Sequence, residues 1–466
     1  MIEKLHFYYT NDLHSNFKQW PKIATYMNIN KAKRNAQSED FWIIDIGDHV
    51  DRVHPIAEAF MGKANVDLMN RLGYDIVTIG NNEGITLSHD DLYHLYDHAH
   101  FDVVCGNLHN VTEEDPEWLQ TYVVKSSKSG IKIGFIGLTA PFNAFYELLG
   151  WHISDPFHVL DRYIEELDQS SDIIVLLSHL GIGEDEAIAN RYPEIDVIIG
   201  GHTHHLLRTG KYVNDTVLTA GGKYCEFAGH VILEWDHHEK RLTNKEAYTI
   251  DTTHLEDDLE TVQYLEKLRT DAEYKLGKTV AMIKEPIEAK WFEETKVMQE
   301  LTNTLKEWTD AEVAMLNAGL LVESLPAGTI TYKDVHHICP HPINPVVVEL
   351  SGKEIIEVAR VTLTDEFTKM RLKGFGFRGV LLGRMLFSGL KVETEINKEG
   401  HEYVTSVKLS NGEELELNRK YKVATADTFT FGRILPPVAR SQVKKYFLPE
   451  FLRDLLANTL QTKFSC

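Results

Sequence analysis

Seven short apolar runs punctuate the first 200 residues, and their spacing limits the possible folds more than any other feature. They are LHFYYT (5–10), FWIIDI (41–46), YDIVTI (74–79), FDVVC (101–105), IKIGFIG (131–137), DIIVLLS (172–178) and IDVIIG (195–200). Each is rich in β-branched or aromatic residues and bounded by Gly, Asp or Asn, so each reads as a strand. Several lack polar alternation, which implies burial on both faces. Between them lie stretches such as DLYHLYDHA (91–99) and VLDRYIEELDQ (159–169), whose apolar positions recur at helical spacing. Strands alternating with helices imply an α/β domain with helices covering the sheet.

A polar, charged segment (236–260), read as a connecting strand, then leads into TVQYLEKLRTDAEYKL (261–276), a helical pattern stopped by Gly277. The expected organisation is a domain over 1–255, a linker helix over 256–277 and a second domain over 278–466. In that second domain ITYKDV, INPVVVEL and GLKVETEI read as strands, and 295–308 and 352–363 as helices. A formal charge of −22 repels polyanions, so neither a nucleic acid polymer nor an anionic membrane is an expected partner. An anionic substrate would need a local positive charge, which a metal centre can supply. Cys105, Cys225, Cys339 and Cys466 are widely separated and read as buried small hydrophobes and one terminal thiol, not as a disulfide framework. The N-terminus shows no basic stretch followed by an apolar core, and no run of 18 apolar residues occurs, so a cytoplasmic location is expected.

The ends of these strands carry the chemistry. The first run ends in NDLHSN with Asp12 and His14, and the second in IGDHVDR with Asp48. The third ends in GNNEGIT with Asn81, and the later ones in LLSHLG with His179 and IIGGHTHH with His202 and His204. Seven nitrogen and oxygen donors thus fall at five strand ends, where open α/β sheets place ligands. In D-x-H and H-x-H, residues i and i+2 of an extended segment point to one side and can reach one ion or two adjacent ions. Mixed imidazole and carboxylate donors suit Zn, Mn, Fe or Co ions, not Ca²⁺. Each motif alone is more often a turn or a cap; the ordered set of five is specific.

That ordered set, D-x-H, G-D-x-x-D-R, G-N-x-E, S-H and G-G-H-T-H, resembles the calcineurin-like metallophosphoesterases, and more narrowly their two-domain 5′-nucleotidase group. NAGLLVESLPAGTITYKDV followed by NPVVVELSGKEI, and LFSGLKVE (386–393), resemble that group's C-terminal domain. The resemblance implies a four-layered α/β/β/α sandwich plus a C-terminal α+β nucleotide-binding domain, able to rotate about the linker helix. It also implies two divalent metal ions and hydrolysis of a nucleotide phosphoester by a hydroxide bridging them. Position by position, it assigns Asp12, His14, Asp48 and His204 to one ion and Asp48, Asn81, His179 and His202 to the other.

Two departures shape the functional expectation. Where the group carries G-N-H-E, with an Asp two residues after the Glu, this chain has Asn82 and Ile85. Loss of such an acid–base group costs about 10²–10⁴ in rate, and Asn82 is expected to act instead as an uncharged catalytic donor to an oxyanion. His49 and His152 are candidate substitutes for the missing imidazole. On the nucleoside side, Val322 stands where the group has an Arg, and FGRILPP replaces G-G-D-G-Y. KGFGFRG (373–379) and TFTFGR (428–433) offer Phe375, Phe377, Arg378, Phe429, Phe431 and Arg433 as substrate-binding residues, with core packing the competing reading for the phenylalanines. The expected function is metal-dependent hydrolysis of nucleotides. The alternatives are a cyclic-nucleotide or nucleotide-sugar phosphodiesterase or pyrophosphohydrolase, and a non-catalytic metal- and nucleotide-binding protein.

Overall fold

In the computed structural model, which describes residues 1–400 and 402–465, the apolar runs of the first half become the strands of two stacked sheets. The chain divides into one unit over Met1–Ala272 and another over Glu273–Cys466, with the division inside the helix Leu259–Leu276. Among the described residues of the first unit, one sheet has the order Arg241–Asp251, Phe227–Asp236, Ile2–Thr10, Asp40–Asp45, Ile76–Val77, Asp102–Val104 and Leu119–Gln120. The other has the order Lys211–Val213, Thr216–Ala220, Val197–Gly200, Ile173–His179, Lys132–Thr139 and Tyr122–Ser126. The central strands of each are parallel, so their C-terminal ends, where the candidate residues lie, share one edge.

Period-2 alternation creates the layers. Leu5, Phe7 and Tyr9 join Phe135, Val175, Leu177 and Ile199 in an apolar layer between the sheets. The alternate residues Ile136, Leu138, Ile174, Leu176 and Ile198 pack against Leu160, Ile164, Leu167 and Ile188, which belong to the helices Pro156–Ser170 and Ile182–Arg191. On the far face of the first sheet, Tyr8 meets Tyr26 of the helix Trp20–Gln37 edge-on. The result is the four-layered α/β/β/α sandwich. Each large apolar side chain buried in this way contributes about 1.5–3 kcal/mol.

Local expectations fail in two places. The stretch 91–99 is helical only over His89–Tyr93. Ser88 starts this helix by accepting the Asp91 N–H at 3.1 Å, and the Trp118 indole donates to the Tyr93 carbonyl near its end. The connecting strand expected in the polar segment after residue 236 is present as the 11-residue strand Arg241–Asp251, paired antiparallel with Phe227–Asp236. The segment at 330–335 is the end of the strand Gly328–Thr331 followed by the helix Tyr332–Ile338. Thr331 and Asp334 form a reciprocal capping box, which starts that helix.

The second unit is α+β. Its five-stranded sheet, among the described residues, has the order Met385–Ser388, Val313–Asn317, Lys420–Ala426, Pro345–Ser351 and Lys444–Tyr446. Leu301 and Leu305 from Lys296–Thr309, Ile355 and Val358 from Gly352–Thr362, and Leu452 and Leu456 share one core with it. Cys105, Cys225 and Cys339 are buried free thiols, and Cys466 lies outside the described residues. No helix of the described residues is long and apolar enough to cross a membrane.

Candidate metal centre

The donors are presented from unusual backbone. Asp12, His14, Asp48, His202 and His204 all have positive φ, between 49° and 68°, a region that costs a side-chain-bearing residue roughly 1–2 kcal/mol. Hydrogen bonds between the loops hold them there. Asp12 N–H donates to the Gly47 carbonyl at 3.0 Å, His14 N–H to Asp48 at 2.8 Å and Tyr224 N–H to Asp12 at 2.7 Å. Two glycines let the corners touch: a Cβ on Gly47 would lie 2.2 Å from the Gly80 nitrogen, and one on Gly80 2.1 Å from the Asp48 nitrogen.

These loops bring all seven predicted donors into one connected cluster. His204 Nε2 lies 3.3 Å from Asp12 Oδ1 and 3.1 Å from His14 Nε2. His14 Nε2 is 3.7 Å from Asp48 Oδ2, and His179 Nε2 is 3.3 Å from Asp48 Oδ1. His202 Nδ1 is 2.8 Å from Asn81 Oδ1, while its backbone N–H donates to Asp12. Ligand atoms of Asp12, His14 and His204, and of Asp12, Asp48 and His179, lie close enough to share an ion.

His179 tests the fit of a cation most directly. Its Nδ1–H donates to the Ile46 carbonyl at 2.7 Å, which leaves the Nε2 lone pair facing Asp48. That Nε2 is fully buried and has no hydrogen-bond partner among the described residues. A lone pair and a carboxylate oxygen at 3.3 Å repel unless a proton or metal cation lies between them. The electrostatics agree. Burial opposes a charged imidazole, yet the Asp48 and Asp12 carboxylates outweigh it and push His179 up to about 10. Asp48 is likewise opposed by burial but held well below the usual carboxylate range by His179 and His14. His202, by contrast, is driven down to about 4 by burial and then by His179. Carboxylates that draw a proton onto a buried imidazole will exchange that proton for a divalent cation. The donor set fits.

Residues without an assigned role in the sequence reading hold this cluster in place. The buried Glu83 carboxylate accepts from the backbone N–H groups of Asp48, Gly80 and Val50 at 3.0, 3.0 and 2.7 Å. Burial, and then the Asp48 charge, push its pKa up to about 7. Asn11 donates to Asp12 Oδ2 and binds Gly221 and Gly222. Tyr224 and Phe142 set their rings against His14 and His202. The Gly80-x-x-Glu83 spacing was a signal for Glu83; nothing local pointed to the aromatic pair.

Asn82 occupies the missing imidazole's position, but its amide faces into the protein. Nδ2 donates to the Val50 carbonyl at 3.1 Å and approaches His14 Nδ1 at 3.0 Å, and the backbone N–H donates to Asp48 Oδ1 at 2.7 Å. The amide nitrogen is turned toward Val50 and His14, which corrects the expectation of a donor aimed at an oxyanion. The proposed substitutes also fall away. His49 is buried against Asn65 and the edge of Trp20, and His152 is a partly exposed strand residue facing Glu147.

In the second unit the predicted substrate residues separate into two groups. Phe375 is 47% exposed and stacks on Phe431, with centroids 5.9 Å apart and planes 8° from parallel. Phe377 and Phe429 are core residues, a correction to their assignment as stacking surfaces. Phe377 is covered by the parallel ring of buried His341, and Phe429 packs against Phe367. Arg378 is half-buried, its backbone N–H bound to His341 Nδ1 and its guanidinium donating to the Phe377 carbonyl. Arg433 is exposed.

Comparison with known proteins adds an independent line. Residues 5–206 match the calcineurin-like phosphoesterase family, and residues 275–433 match the 5′-nucleotidase C-terminal domain. The uncharacterized metallophosphoesterase YunD of Bacillus subtilis (strain 168) is 43% identical, covering 98% of this chain and 99% of its own length. A 5′-nucleotidase of Vibrio vulnificus (strain CMCP6) is 22% identical over 78% of this chain and 76% of that protein. The solved structure of Haemophilus influenzae NAD nucleotidase shares the fold, with a TM-score of 0.68 at 15% identity, covering 100% of this chain and 97% of that one.

Proposed function

The chain belongs to the calcineurin-like metallophosphoesterases that carry a 5′-nucleotidase C-terminal domain, hydrolases acting on phosphoester bonds, and we propose that its own substrates are nucleoside phosphates. The observation that carries this reading is the convergence of seven donors from five strand ends on one mostly buried cluster. In the proposal, two divalent ions are held there, with Asp12, His14, Asp48 and His204 beside one and Asp48, Asn81, His179 and His202 beside the other. Such ions polarise a phosphoryl oxygen and lower the pKa of water to near neutrality.

The remaining work falls to residues of the chain. Glu83 fixes the Asp48 corner through three backbone N–H groups. The Ile46 carbonyl orients His179, as outer partners of ligating histidines commonly do. The exposed face of Phe375, backed by Phe431, offers a stacking surface for a base. With Asn82 and Ile85 in place of a His–Asp dyad, turnover is expected to rest on the metal side alone.

The test is release of inorganic phosphate, with Mn²⁺, from a panel of nucleoside mono-, di- and triphosphates, with Asp48→Ala and a chelator as controls. Release abolished by both supports the proposal. A nucleotide product from cyclic or sugar-linked nucleotides, without free phosphate, would move the assignment to a diesterase or pyrophosphohydrolase. Nucleotide binding without any product would leave a binding protein.

A further inference from the structure

Asn81 and His202, donors of the position served by His179, are both touched by one short turn. After the strand Lys132–Thr139, Phe142 caps the short helix Asn143–Tyr146. The Phe142 carbonyl accepts the Phe145 and Tyr146 N–H groups at 2.8 and 3.1 Å. The Asn143 side chain exchanges two hydrogen bonds of 2.8 Å with the Ile153 backbone. At one end of this turn the Phe142 ring lies 5.7 Å, centroid to centroid, from His202. At the other, Tyr146 is fully buried and its hydroxyl is seated on Gly84, in the helix Asn81–Thr86 that begins with the donor Asn81. Asn81 Oδ1 and His202 Nδ1 meet at 2.8 Å, so the turn closes a ring of contacts around this pair.

Gly84 shows how close that fit is. Its backbone is ordinary helix, where alanine is the better residue, so glycine is there for room. A Cβ would lie 2.1 Å from the Tyr146 hydroxyl and 2.3 and 2.4 Å from the ring carbons Cε1 and Cζ. That hydroxyl has no hydrogen-bond partner among the described residues, and burying an unbonded hydroxyl disfavours folding. Stability alone therefore favours phenylalanine at 146; what the oxygen adds is its contact with the Gly84 backbone. The other metal position has separate supports, Tyr224 against His14 and Asn11 on Asp12. Asp48, which borders both, is also held from that side, by the His14 N–H.

We propose that Tyr146 is a positioning residue for one ion of the pair. Pressed onto Gly84, it fixes the helix that carries Asn81, while Phe142 on the same turn backs His202. Together they set the affinity of the position served by Asn81, His179 and His202 and leave the other position nearly unchanged. This rests on the metal-centre reading above. Donors must be placed to about 0.5 Å, and outer partners of ligands commonly control about 10–100-fold in metal affinity.

The experiment titrates chelator-stripped protein with Mn²⁺, reading heat and bound metal, alongside denaturant unfolding of the metal-free chain. Tyr146→Phe should weaken one of the two ions at least about fivefold, approaching what loss of an outer partner costs, and the other by less than that. Its unfolding midpoint should equal or exceed that of the wild type, a combination that a merely structural role would not give. Gly84→Ala should weaken the same ion about 10–100-fold, and adding Tyr146→Leu to it should recover most of the loss. Single-ion backgrounds assign the position. In His204→Ala, which keeps the ion beside His179, Tyr146→Phe should weaken the remaining ion; in His179→Ala it should have no effect. Equal weakening of both ions, a smaller effect in Tyr146→Phe, affinity lost only in step with stability, no recovery in the double variant, or the reverse pattern in the two backgrounds would each overturn the inference and leave the phosphohydrolase reading intact. Should Gly84→Ala fail to fold, Tyr146→Phe and the backgrounds still decide. Absence of any metal binding by the wild type would remove both.

Discussion

The metal cluster of the first unit and the aromatic loop of the second are built on opposite terms, and two glycines make the contrast concrete. Gly47 and Gly374 have nearly the same backbone, with φ of +87° and +93°. A Cβ on Gly47 would collide with the Gly80 backbone at 2.2 Å, whereas one on Gly374 would meet nothing within 4 Å among the described residues. Around Gly47, donors are held by backbone-to-backbone bonds and the Glu83 carboxylate. Around Gly374, an exposed phenylalanine stacks on one neighbour, and the Thr428 hydroxyl donates to its carbonyl. Holding an ion requires donor placement to about 0.5 Å. Stacking on a ring face tolerates much looser placement.

Four measurements would break or sharpen this contrast. The largest effect is expected from Asp48→Ala, which should lower phosphate release by more than about 10²-fold, beyond what loss of an outer partner costs, with metal content falling in parallel. Next, Gly47→Ala should cost roughly 3–5 kcal/mol in denaturant unfolding, combining overpacking with a left-handed backbone, against about 1–2 for Gly374→Ala; equal costs would erase the distinction. Phe375→Ala should raise KM for nucleotides about 5–150-fold, the equivalent of 1–3 kcal/mol of base stacking. It should leave kcat and metal content unchanged, with no effect on p-nitrophenyl phosphate. A matching loss with that base-free substrate would argue against the stacking role.

The smallest effect concerns His341, which anchors the aromatic loop by donating to the Leu320 carbonyl and accepting the Arg378 N–H. Burial pushes this imidazole down from 6.5 to about 3. On acidification the unfolded chain takes up the proton first, so the stability present above pH 6.5 is lost as pH falls below it. By pH 5 the loss should reach about 2 kcal/mol. Unfolding curves of His341→Gln should show a correspondingly flatter pH dependence.

The metal side was readable from the chain because its information is local. β-branched runs such as IIVLLS announce strands, and in parallel sheets the ligands cluster at the strand ends, so Asp12, Asp48, His179 and His202 could be named from position alone. The helix at Tyr332–Ile338 was missed although Thr331-x-x-Asp334 spells a capping box, because ITYKDV (330–335) was itself read as a strand. Phe377 and Phe429 were misplaced for a different reason: a glycine-rich setting signals a mobile backbone but not which way a ring turns. The partnership of Asn82 with His14 spans 68 residues, and no local pattern carries such a contact.

The left-handed backbone at Asp12, His14, Asp48, His202 and His204 also bears on how such a chain changes over generations. Glycine would relieve roughly 1–2 kcal/mol at any of these positions, so a lineage selected for folding alone has an incentive to discard its ligands first. Mutational drift and chemistry pull in opposite directions at the same five codons. A descendant that had lost its reaction would betray it there, in a scatter of glycines, before its core showed any change.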